Sequence, residues 1–203
     1  MTEAAHSEHR DDYGAKLGMW LFLVTEINLF GGLFIAYAYM RNKYPEGFHH
    51  GGSQLNATLG VTNTVVLLTS SLTAVLALWA IQQGKAKLSK QLLTATVLFG
   101  LVFLVIKTVE WSAKIHHGVY PNSEHLATLP HGEQIFYGLY FTMTGLHGVH
   151  VVVGMLVLSV IARMVGQSKI TRDQHVVLEN GALYWHLVDV VWIFLLPLFY
   201  LAA

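Results

Sequence analysis

Five long apolar stretches dominate this chain, at about residues 17–40, 57–82, 91–113, 134–162 and 176–201 of 203. Each reaches the roughly 20 residues a helix needs to cross a bilayer. A soluble protein can bury one or two such helices. Five of them in a chain this short leave almost no amphipathic segment to shield them. Only 12% of the residues are charged, against about 25% in soluble domains. The expected fold is all-α: a polytopic membrane protein, one membrane domain over 1–203 built as a bundle of five transmembrane helices.

The first stretch does not read as a cleaved signal. It is longer than a signal's apolar region, and Glu3, Glu8, Asp11 and Asp12 precede it. The chain has no cysteine, which excludes disulfides, thiolate metal sites and covalent haem attachment through a Cys-x-x-Cys-His motif. Net charge is zero, so nothing points to nucleic acid. The twelve Lys and Arg divide unevenly. Eight (Arg10, Lys16, Lys85, Lys87, Lys90, Arg163, Lys169, Arg172) fall on the N-terminal side, and four (Arg41, Lys43, Lys107, Lys114) on the other. The positive-inside rule places the N-terminus in the cytoplasm and the C-terminus outside. The longer connections, 41–56 and 114–133, carry Pro45-Glu46-Gly47 and Tyr120-Pro121-Asn122 and read as turns. Their histidines (His49, His50, His116, His117, His125, His131) read as solvated.

Ionisable residues inside apolar helices are expensive and so face other helices, pair, or mark a functional path. In the first helix Glu26 shares its stripe with Phe30, Leu33 and Tyr37, and no base lies on that stripe. Two readings compete: a helix-packing carboxyl bonded to a neighbouring helix, and a proton-exchange or lipid-contact group. The second helix carries Thr62, Thr69 and Thr73, with Ser70 and Ser71 beside them; these hydroxyls suit close helix packing. In the third, Lys107 and Glu110 are spaced to pair, and Lys107 can also snorkel to the interface beside Trp111. In the fourth, Tyr140, Thr144 and His147 share a face, with His150 about 60° away; in the fifth, Glu179, His186 and Asp189 fall within about 80°. These two faces are expected to meet in a hydrogen-bonded network. A haem held by His147 and His186, or a metal site using His147 and His150, is the competing reading.

Three segments together resemble subunit III of the haem–copper respiratory oxidases. They are Thr25-Glu26-Ile27-Asn28-Leu29-Phe30-Gly31-Gly32-Leu33-Phe34, then Tyr137 to His150 with Gly145-Leu146-His147-Gly148-Val149-His150, then Glu179 to Trp192 with Tyr184-Trp185-His186-Leu187-Val188-Asp189-Val190-Val191-Trp192. The third is the most specific. The chain is similar to the last five helices of the seven-helix members, a five-helix form usual among bacterial members. Lys107 stands where that family is expected to have a neutral polar residue.

The resemblance implies an accessory role in a proton-pumping terminal oxidase of aerobic electron transport, in a bacterial plasma membrane. Haem and copper would sit in partner subunits. This subunit would pack on catalytic subunit I and other oxidase subunits, hold phospholipid and support proton uptake. Glu26 resembles the family carboxyl near the catalytic subunit, and is the residue expected to be associated with proton or lipid. His147, His150, Glu179, His186 and Asp189 resemble its interhelix polar set, with no catalytic or metal-ligating residue among them. A cytochrome c oxidase fits Glu26 and the Tyr184-Trp185-His186 segment better than a quinol oxidase. A haem-b anchor of a quinone-linked dehydrogenase is a further alternative; a transporter is disfavoured by the lack of an internal repeat.

Overall fold

A computed structural model describes residues 12–201. The described residues form helices α1 (Asp12–Lys43), α2 (Pro45–Ser53), α3 (Ala57–Gln82), α4 (Ala86–His116), α5 (Glu124–Thr128), α6 (His131–Gly166) and α7 (Val176–Leu196), and α7 runs on into a π-helical turn, Pro197–Leu201. Among the described residues five spans are long and apolar enough to cross a membrane. Arg10, one of the twelve basic residues used for topology, lies outside the described residues.

The spans overrun the apolar stretches, because polar flanking residues continue the helical hydrogen bonding where hydrocarbon gives way to headgroups. α6 extends for 36 residues, about 54 Å against a hydrocarbon core of roughly 30 Å. Helix ends are set locally. Asn56 caps α3 by accepting from the Leu59 amide at 3.2 Å. Gly84 and Gly118 adopt positive φ just after α3 and α4. At Gly84 the amides of residues 84 and 85 turn back to the carbonyls of Ile81 and Ala80, the doubled closure that a left-handed residue permits.

The segment 45–53, read above as a turn, is a helix. Pro45 sits in its first turn with Glu46 beside it, where Pro and an acidic group both suit a helix start. It lies against the start of α6 with no room for a side chain at Gly47: a Cβ there would come within 2.7 Å of the Gly132 backbone. Residues 124–128 form a short helix capped by Ser123, while Asn122 keeps the expected turn geometry with φ 65°.

α7 is the inner helix. Of its most apolar window 56% is buried, against 11% for α1, and it packs on α1, α3 and α6. α1 buries only Leu23, Phe30 and Tyr37, one residue every two turns. It is a helix laid along the outside and tied at intervals. At Pro197 the ring removes a backbone donor and the helix loosens to a π turn. This turn brings Phe199 and Tyr200 into the core, and the Tyr37 hydroxyl donates to the Leu198 carbonyl.

Candidate functional site: paired polar groups within the membrane bundle

Glu26 has its partner on α6. Its Oε2 lies 2.8 Å from His150 Nε2, with both side chains largely buried. The other ring nitrogen, Nδ1, lies 2.8 Å from the Leu146 carbonyl. A carbonyl only accepts, so Nδ1 carries a hydrogen. The contact between Nε2 and Oε2 therefore holds one proton, as carboxyl and imidazole or as carboxylate and imidazolium. The pair is electroneutral either way. Tyr184 of α7 fixes this turn of α6 by donating to the His150 carbonyl at 3.1 Å, and Phe30 meets the imidazole edge-on at 5.2 Å.

The five histidines and acids expected to join α6 and α7 in one network are instead distributed over three seams. Glu179 pairs with Lys16 of α1 at 2.9 Å, both partly exposed. It stands in the first turn of α7, next to the start of α1, and so meets the nearest cation at the membrane edge. His186 turns to α3, where its Nδ1 shares a hydrogen bond of 2.6 Å with Ser71 Oγ. Asp189 also faces Ser71, and its Oδ1 is buried without a hydrogen-bond partner among the described residues. His147 is fully buried between Phe103, at 5.4 Å, and Trp192, at 5.2 Å; neither of its ring nitrogens has a described hydrogen-bond partner. His150 alone of the five bonds across to Glu26. The cause is the position of α7. It is the inner helix, so its polar side chains reach three neighbours, not one.

α3 and α7 are joined by a zipper of hydroxyls. Trp185 Nε1 donates to Ser70 Oγ at 3.0 Å, and Trp192 Nε1 donates to Thr64 Oγ1 at 3.0 Å. Ser71 serves His186 between them. Thr73 is shared with Thr96 of α4, whereas Thr62 and Thr69 bond to carbonyls of their own helix. Trp185 is further clamped by two glycines. A Cβ on Gly100 or on Gly154 would lie 2.8 Å from its indole.

Lys107 does not snorkel. It is 5% exposed, and its ammonium donates to Glu110 at 2.9 Å, Tyr140 at 3.0 Å and Tyr200 at 2.5 Å. Tyr200 donates in turn to Glu110 at 2.7 Å. All three ammonium hydrogens thus find acceptors inside the bundle, and a Glu–Lys pair leaves no net charge there. The i,i+3 spacing within α4 was the sequence signal for the pair. Tyr140 was legible only as part of the polar face of α6, and Tyr200 carried no signal, because it reaches α4 from the π turn Pro197–Leu201.

His147 is enclosed by aromatic rings and His186 is bonded to α3. Among the described residues no group of three or more His, Asp or Glu side chains is arranged to hold a metal ion.

The family model for cytochrome c oxidase subunit III matches residues 2–203. Cytochrome c oxidase subunit 3 of Corynebacterium diphtheriae is 30% identical over 88% of this chain and 83% of that protein. The Synechocystis protein of the same name is 32% identical over 97% of this chain and 79% of its own length. A Staphylococcus saprophyticus protein named "Probable quinol oxidase subunit 3" is 30% identical over 92% and 88%. The chain is thus a multi-pass membrane protein that belongs to the subunit III family of the haem–copper oxidases.

Proposed function

We propose that this chain is the non-catalytic subunit III of a proton-pumping cytochrome c oxidase in a bacterial plasma membrane. It stabilises catalytic subunit I, holds phospholipid and supports proton uptake, while haem and copper reside in partner subunits. The observation that carries the reading is that polar groups inside the spans tie helices to one another, in Glu26–His150, Lys107–Glu110–Tyr200 and Ser71–His186, while His147 stands among aromatic rings and Asp189 faces Ser71. Glu26 and His150 hold one proton between them in the seam of α1 with α6, which suits the proton- or lipid-associated role proposed for Glu26.

An apolar cavity of about 580 Å³ lies along the seam of α1 with α6 and α7, with Met19, Phe22, Val157 and Tyr184 in its wall. Its size and lining suit a phospholipid tail, with Lys16 near the membrane edge at the same seam. The excess of Lys and Arg on the N-terminal side supports a cytoplasmic N-terminus. A subunit of a quinol oxidase is the second reading, favoured by the Staphylococcus relative. Purification of the tagged chain in mild detergent tests the assignment. Co-purification of a haem- and copper-containing subunit I is expected, with oxidation of reduced cytochrome c. Recovery of the chain alone, with its own haem absorbance, would overturn it.

A further inference from the structure

We propose that the membrane-facing seam between α3 and α7 is the docking surface for a transmembrane helix of another oxidase subunit, and that this helix brings a polar side chain to Nε2 of His186. The proposal rests on the subunit reading above. His186 stands ten residues from the start and fifteen from the end of the span Val176–Leu201, and Ser71 fourteen and eleven from the ends of Ala57–Gln82. Both are therefore about 15 Å or more from either helix end, near the middle of the hydrocarbon. Neither water nor lipid headgroups reach that depth.

Yet His186 is partly exposed. Its Nδ1 is committed to Ser71, and its Nε2 makes no hydrogen bond to the described residues. Behind it the carboxyl of Asp189 faces the same Ser71 and leaves Oδ1 unpartnered. Glu26, His150, Lys107 and Glu110 also lie within spans, but each has an ionisable partner inside this chain. Among the described residues His186 has no such partner, and Nε2 lies on the side of the ring away from its bond to Ser71.

The surface around it is built to receive a helix. Leu68 and Leu72 on α3 and Val190 and Ile193 on α7 are 47%, 58%, 45% and 41% exposed, and they follow helical spacing on either side of the imidazole. Lipid tails satisfy such an apolar strip, but they offer nothing to a ring nitrogen at mid-depth. A transmembrane helix with one polar side chain at that level satisfies both, and interhelix hydrogen bonding of this kind is a recognised way for membrane helices to associate. Ser71 also sets what Nε2 offers. If the Ser71 hydroxyl donates to Nδ1, a neutral imidazole presents Nε2–H to the partner. If Ser71 donates to Asp189, Nδ1 carries the hydrogen and Nε2 accepts.

The test uses the intact oxidase. A photo-crosslinking residue is placed at Val190 or at Leu72, and the complex is irradiated in membranes. The expected result is an adduct with a second polypeptide. Alongside it, His186→Leu is expected to lower retention of this subunit during detergent purification several-fold, and His186→Gln, which keeps a hydrogen-bonding group at similar reach, to restore it. Adducts with lipid alone from both positions in an intact complex overturn the docking surface, as does full retention of His186→Leu. Failure of any haem-containing subunit to co-purify with the native chain overturns the subunit reading itself.

Discussion

Glu26 Oε2 and His150 Nε2 lie 2.8 Å apart, across the seam between the outermost span and α6, while His150 Nδ1 is held by the Leu146 carbonyl. That second bond makes the first informative. It fixes which ring nitrogen carries a hydrogen, so the two residues hold one proton between them. It also gives α1 a polar tie near its middle, between Lys16–Glu179 at one end and Tyr37–Leu198 at the other.

The first prediction concerns this tie. Glu26→Gln keeps a group able to donate to Nε2, whereas Glu26→Leu leaves the imidazole nitrogen unsatisfied. Glu26→Leu is expected to destabilise the bundle by roughly 1–3 kcal/mol, with Glu26→Gln well below that. Thermal unfolding of the purified protein in detergent checks the order of the two variants. Equal loss in both would mean that the contact is not a hydrogen bond.

Lys107→Met leaves the Glu110 carboxylate buried with only tyrosine for a partner. Breaking a buried pair in this way costs about 3–5 kcal/mol, whereas replacing both members by apolar groups is often close to neutral. Lys107→Met is therefore expected to unfold at a markedly lower temperature than the double variant Lys107→Met/Glu110→Leu. A double variant no more stable than the single would show that Lys107 and Glu110 do not act as a pair.

Glycines on the helix surfaces divide into two kinds. Gly100→Ala or Gly154→Ala drives a methyl into the Trp185 indole, which cannot retreat without breaking its bond to Ser70. Each is expected to cost about 1–3 kcal/mol through overpacking. Gly31→Ala and Gly32→Ala meet nothing within 4 Å and should be neutral or stabilising by up to about 1 kcal/mol, since Ala is the better helix former. Melting temperatures of the four variants, measured side by side, decide this.

Asp189→Leu is expected to damage assembly more than chemistry. It deprives Ser71 of one neighbour and perturbs the seam that presents His186. Retention of the subunit on a native gel should fall, while the haem spectrum of the catalytic subunit stays unchanged and the initial turnover rate is largely kept. Full retention with an immediate loss of turnover would make Asp189 part of the chemistry and refute the accessory assignment.

The five spans and the all-α class were legible in the sequence, because hydrocarbon demands a long apolar run for every crossing and that demand is local to each helix. The spacing of Lys107 and Glu110 likewise announced their pair, since three residues along one helix fix the distance before any tertiary contact exists. A side chain's partner on another helix is not fixed that way. Glu26 has no base on its own stripe and found one 124 residues later. Glu179, His186 and Asp189 share one sector of α7, yet Glu179 turned to α1 and the other two to α3. Tyr200 reached Lys107 only because the helix loosens at Pro197. Periodicity tells which residues share a face; which neighbour that face meets depends on how the helices pack. Here an inner α7 with three neighbours spread one polar sector over several seams.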